Sequence, residues 1–79
     1  MVNEELYLKL PFANGYVASV VRHAFSYGGK QGLFEVAVMD KDFNILYDTP
    51  ITTDVVGHLN SDRLVKVLQD ISNLPNIQE

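Results

Sequence analysis

The first apolar positions of the chain alternate. Leu6, Leu8, Leu10 and Phe12 are separated by Tyr7, Lys9 and Pro11, a period of two that predicts a strand with one buried face over 5–11. Pro11 has no N–H to give to a ladder, so the strand ends there or lies at a sheet edge. Asn14-Gly15 follows, a turn dipeptide whose residues both accept positive φ, and it predicts a hairpin into the next segment. That segment is ambiguous. Val17, Val20, Val21, Ala24 and Phe25 recur at helical spacing, whereas the valines and the Asn-Gly entry favour a strand. A strand over 16–22 is the reading adopted, with a helix over 16–26 as its alternative.

Tyr27-Gly28-Gly29-Lys30-Gln31-Gly32 predicts a flexible loop, and residues 33–39 predict a strand that is apolar on both faces. Phe34, Val36 and Val38 make one face; Leu33, Ala37 and Met39 make the other, interrupted by Glu35. Two apolar faces imply a central strand covered on both sides. Asp40-Lys41-Asp42-Phe43 reads as a hairpin loop and 44–48 as the returning strand. Phe43 is out of place at a loop tip, where Gly or Asn turns more easily, so it must fold back on the sheet or touch a partner. Pro50 stops the strand, 51–56 is a short edge strand or an extended crossing, and Gly57 permits a bend. Asn60 or Ser61 can cap the helix that follows, with Asp62 at its positive end and Leu59 against Leu64 as a hydrophobic staple. Leu64, Val67, Leu68 and Ile71 form the apolar stripe of a helix over 61–73, and Arg63, Lys66, Gln69 and Asp70 its wet face. Leu74-Pro75 closes the helix, and 76–79 reads as a loose tail.

The expected fold is a single α+β domain over 1–79: an antiparallel meander sheet of three to four strands with one C-terminal helix packed on one face. One helix covers one face. Tyr7, Tyr16, Leu33, Ala37 and Met39 are the candidates for the other, and an uncovered half-apolar face predicts a homodimer.

Composition narrows the function classes. A chain of 79 residues has room for one small core and relies on a staple or a partner surface for further stability. It contains no cysteine, which excludes disulfides, thiolate metal sites and thiol chemistry and is compatible with a cytoplasmic setting. The acidic opening Met1-Val2-Asn3-Glu4-Glu5 does not resemble a secretion signal, and no apolar run approaches the roughly 20 residues that span a bilayer. The net charge of −4 is concentrated in the second half. Before Glu35, Lys9, Arg22 and Lys30 outweigh Glu4 and Glu5; from Glu35 onward, seven further carboxylates beyond Glu35 itself face only Lys41, Arg63 and Lys66. An acidic half repels phosphate, so nucleic acid is not an expected partner.

The candidate chemistry is thin. Asp40, Asp42, Asn44, Leu46 and Asp48 fall at alternate positions of a calcium loop, but Ile45 and Ile51 occupy the places of its glycine and bidentate glutamate. Gly29-Lys30-Gln31-Gly32 matches a Gly-x-x-Gly clamp without the flanking helices or the basic surround, and it is not a P-loop. His23 and His58 are the side chains suited to proton transfer near neutrality; a His–Asp pair of His58 and Asp54 activating Ser26 or a threonine is conceivable, yet no spacing demands it. Compact metal-ligand spacings are absent, so no metal and no cofactor is expected. The densest polar run, from Asp48 to His58, reads first as a structural joint whose Thr and Asp side chains satisfy turns. If it has a recognition edge, Asp48, Thr52, Asp54 and His58 carry it, together with Asp40, Asp42 and Phe43 of the preceding loop.

Asn14-Gly15-Tyr16, Ser26-Tyr27-Gly28-Gly29, Gly32-Leu33-Phe34-Glu35-Val36-Ala37-Val38 and Tyr47-Asp48-Thr49-Pro50-Ile51-Thr52 together resemble a group of short phage- or prophage-encoded proteins of unknown function. The resemblance runs from Asn14 to the helix and implies a small viral accessory protein in the host cytoplasm; it brings no activity and no catalytic residues. Phe43 departs from the glycine-bearing loop such a protein would have. The expected function is a non-enzymatic module acting through protein–protein contacts, as a homodimer. The alternatives are an acidic inhibitor that mimics nucleic acid before a basic host protein, and a minor hydrolase or metal-dependent enzyme.

Overall fold

The computed structural model describes residues 5–77; the opening residues 1–4 and the last two positions of the expected tail lie outside it. Strands β1 (Leu6–Pro11), β2 (Val17–Arg22), β3 (Phe34–Met39) and β4 (Val55–Leu59) form one sheet in the order β1-β2-β3-β4, and helix α1 (Ser61–Ser72) follows β4 directly. All neighbours are antiparallel. The fold is therefore α+β, a four-stranded meander with one C-terminal helix packed on it, as the sequence pattern predicts.

Register explains the faces. Leu8 pairs with Val20 and Val20 with Val36, Leu10 with Ala18 and Ala18 with Val38. Successive side chains point to opposite sides of a sheet, and paired ones to the same side. Val20, Val36, Ala18 and Val38 thus make one continuous surface, on which Leu59 and the helix residue Ile71 close a fully buried cluster. The valines that made the second segment ambiguous belong to strand β2: Val17, Ala18 and Val20 are buried from both sides of the sheet, a requirement that one helical stripe could not meet. β3 is the central strand that its doubly apolar pattern implies.

Helix α1 begins where the cap predicts. The Asn60 side chain accepts from the Arg63 N–H at 2.9 Å, and Leu59 and Leu64 both pack into the core. Its far end is tied to the first hairpin. The buried Asn14 amide reaches the carbonyls of Ile71, Ser72 and Leu74 at 2.8, 3.3 and 3.1 Å, carbonyls that a helix terminus otherwise leaves to water. Its Oδ1 accepts from the Tyr16 N–H at 3.2 Å, and its own carbonyl accepts from the Ile77 N–H at 2.8 Å. The chain end is thus fastened at Ile77, which corrects the expectation of a loose tail from 76 onward; Gln78 and Glu79 lie outside the described residues.

The fourth strand is the main correction. It is Val55–Leu59, not 44–48. The returning chain starts to pair as expected: Ile45 bridges Met39, and the Leu46 N–H donates to the Val38 carbonyl at 2.8 Å. It then leaves the sheet toward Pro50, which has no N–H to continue a ladder. Leu46 and Ile51 pack against the core from this excursion, and Val55–Leu59 takes the place beside Phe34 and Val36. Gly57 is not the bend into the helix. It sits within β4 at the register shift opposite Phe34/Val36, and a Cβ there would collide with the Tyr27 Cβ. The positive φ belongs to His58, at 56°. The loop before β3, expected to be flexible, contains a 3₁₀ turn at Gly29–Gln31 bounded by left-handed Gly28 and Gly32.

Candidate functional site

Several of the polar side chains conspicuous in the sequence hold the backbone. Asp40 Oδ1 accepts from the N–H groups of Asp42 and Asn44, each at 2.9 Å, and Oδ2 accepts from the Asn44 side-chain amide at 3.1 Å. The Asn44 N–H bond holds the Asp40 carboxyl below the ordinary carboxylate range; desolvation opposes it, and the Asn44 side chain, the Asp42 N–H and the Lys41 charge add to the lowering. Asp40 thus closes its own loop. Thr49 Oγ1 donates to the Thr52 carbonyl at 3.2 Å and accepts from the Thr52 N–H at 3.3 Å, and Thr52 Oγ1 accepts from the Asp54 N–H at 3.0 Å. Asp42, Asp48 and Asp54 are exposed. Among the described residues no group of three or more His, Asp or Glu side chains is placed to hold a metal ion.

Phe43 adopts φ 65°, the left-handed conformation expected to favour glycine at that loop tip. Its ring folds back until the Lys9 ammonium lies 5.5 Å from its centroid. With Lys9, Phe12, Tyr16, Val17 and Lys41 it lines an open cavity of about 350 Å³.

The histidines do not form a nucleophile–base pair with Ser26. Ser26 is buried, its hydroxyl donating to the His23 carbonyl and accepting from the His23 N–H, both at 2.9 Å. The His23 ring instead accepts from the Phe25 N–H through Nδ1 at 3.1 Å and stacks on Tyr7 at 5.4 Å between centroids. His58 gives its backbone N–H to the Tyr27 carbonyl at 3.0 Å, and the two rings lie 6.5 Å apart.

These contacts describe a different surface from the acidic one. At the end of the sheet where β1 begins and β2 finishes, the loop from His23 to Gly28 is held in one shape by the Ser26–His23 hydroxyl bonds, the His23 ring and a Tyr27 N–H bond to Glu35 Oε1 at 2.9 Å. That loop presents Phe25 at 93 % exposure, with Tyr27 and the neighbouring Tyr7 each at 61 %. Neither Phe25 nor Tyr27 was singled out by sequence reasoning. Phe25 fitted a helical stripe and Tyr27 opened a glycine loop, and only the local hydrogen bonds turn them outward.

The face proposed for dimerisation is less open than the pattern suggested. Tyr7 is exposed, but Ala37 is buried and Leu33 and Met39 are half-buried. Tyr16 is half-buried and packs against the core cluster.

Comparison with protein-family models, with curated proteins and with solved structures finds no match to this chain.

Proposed function

We propose that this protein is a non-enzymatic binding module, a small accessory protein of the phage type, that docks Phe25 into an apolar pocket of a partner protein. The observation that supports this most directly is a phenylalanine side chain at 93 % exposure on a loop held by internal hydrogen bonds. A large apolar side chain in water is unfavourable by about 1.5–3 kcal/mol relative to burial, and a rigid loop forfeits little further freedom when a partner covers it. Tyr7 and Tyr27 flank it, and aromatic residues of this kind form the centres of protein interfaces. The His23 ring stacks on Tyr7, and the His58 ring lies tilted beside that of Tyr27.

Affinity capture from cells of the native source, with quantitative identification of the bound proteins, tests this reading. The wild-type chain retains a partner that Phe25→Ala loses while its circular dichroism is unchanged. A partner retained equally by Phe25→Ala, and lost instead on raising the salt or in an Asp42→Asn, Asp48→Asn, Asp54→Asn triple variant, contradicts it in favour of the acidic-inhibitor reading.

A further inference from the structure

We propose that the outer edge of β1 pairs with the same edge of a second copy of this chain, antiparallel and centred on Leu8. β1 stands at one end of the sheet order, β4 at the other. β4 does not offer a regular edge: its ladder is interrupted by a register shift, His58 is in the left-handed region, and the His58 N–H is taken by the Tyr27 carbonyl.

β1 is regular, and its outward groups can be assigned. The Phe12 N–H donates to the Tyr16 carbonyl at 2.8 Å. Backbone groups along an antiparallel strand alternate between its two neighbours, so Leu10, Leu8 and Leu6 turn theirs to β2. Tyr7, Lys9 and Pro11 turn theirs outward. The Leu46 N–H bond to the Val38 carbonyl gives the same alternation when it is followed through β3 and β2. Pro11, the residue without an N–H, lies on the outward side, where no β2 bond is lost.

A two-fold axis through Leu8 sets Tyr7 of each copy against the partner's Lys9. Each such pair exchanges both its N–H···O=C bonds, and the Lys9 ammonium keeps its place over the Phe43 ring of its own chain. Leu8 meets the partner's Leu8 at the close, non-hydrogen-bonded spacing, and Leu6 meets the partner's Leu10. Leu8 has a reason to be covered: it points to the core side of the sheet, yet α1 packs on β3 and β4 and leaves it 43 % exposed. Other registers are poorer. A slip of one residue puts Leu8 opposite lysine and mixes the faces. Centring on Lys9 opposes like charges. Centring on Tyr7 takes Leu10 out of the ladder.

The chain has no cysteine, so single-cysteine variants report the register. Facing non-hydrogen-bonded positions lie within disulfide reach, whereas the two Leu10 positions would stand roughly 13 Å apart along the strands. Under mild oxidation Leu8→Cys is expected to form a disulfide dimer on the order of tenfold faster than Leu10→Cys. In sedimentation the wild type self-associates as concentration rises. Lys9→Pro removes an outward donor but no β1–β2 bond, and it stays monomeric with the wild-type circular dichroism. Phe25→Ala associates like the wild type, which separates this interface from the proposed docking of Phe25. Equal cross-linking of the two cysteine variants, a wild type that is monomeric at every concentration, or a folded Lys9→Pro that associates normally overturns the proposal. If Lys9→Pro does not fold, the cysteine pair decides.

Discussion

Asn14 shows how one polar side chain can join distant parts of a small fold. It lies in the first hairpin turn, yet its amide serves three carbonyls at the helix C-terminus and its own carbonyl holds Ile77. Asn14→Ala removes the side-chain donor from all three carbonyls, of which that of Ile71 keeps the Leu74 N–H, and it is expected to cost about 1–3 kcal/mol. Urea unfolding checks this as a lowered midpoint with unchanged slope. From the sequence, Asn14-Gly15 announces only a turn; that the turn also caps a helix 57 residues away depends on topology. Asp40 is the opposite case, a local device legible in outline, since an Asp opening a loop commonly accepts from N–H groups two or more residues on. Its carboxyl titrates below its unfolded value, so its contribution is present above the unfolded pKa and is lost as pH falls through the folded one. Acid titration followed by NMR should show the Asp42 and Asn44 amide signals moving together with the Asp40 carboxyl below the ordinary Asp range. Asp40→Asn should remove that transition.

At the scale of elements, periodicity was a good guide wherever an element keeps one regular face. The alternation before Pro11 gave β1, the doubly apolar run gave β3, and the cap, staple and stripe after Leu59 gave α1. Between Asn44 and Leu59 periodicity misleads, because two segments there compete for one place in the sheet. Ile45-Leu46-Tyr47 has the alternation of a strand and begins to pair, but Pro50 takes the chain away. Val55–Leu59 pairs instead, although it contains a glycine and a residue at positive φ. Both irregularities make sense once Tyr27 is in place, since Gly57 leaves room for the Tyr27 Cβ and His58 turns its N–H to the Tyr27 carbonyl. Gly57→Ala is therefore expected to open the seam between Tyr27 and β4 and to destabilise the fold by about 1–3 kcal/mol. Amide exchange would show the His58 N–H losing protection ahead of the rest of the sheet.

The whole molecule combines a well-satisfied polar framework with unusually bare aromatic residues at one end. The side chains of Thr49, Thr52, Asp40 and Ser26 hold loops, and His58 does so through its backbone. The sequence could mark the Asp48-to-His58 run because Thr, Asp and His are conspicuous. It could not mark Phe25, since an apolar residue beside an ambiguous strand reads as core until the loop is seen to turn it into water. Tyr7 joins the two surfaces proposed here, the Phe25 end and the free edge of β1, without making them one: Phe25 is not on β1, and Leu8 and Lys9 are not on the His23–Gly28 loop. Docking of Phe25 is tested most directly by a calorimetric titration of the captured partner with the wild type and with Phe25→Ala. An interface anchor of this kind predicts that the variant binds on the order of thirtyfold more weakly, about 2 kcal/mol. The same dissociation constant for both proteins would contradict it.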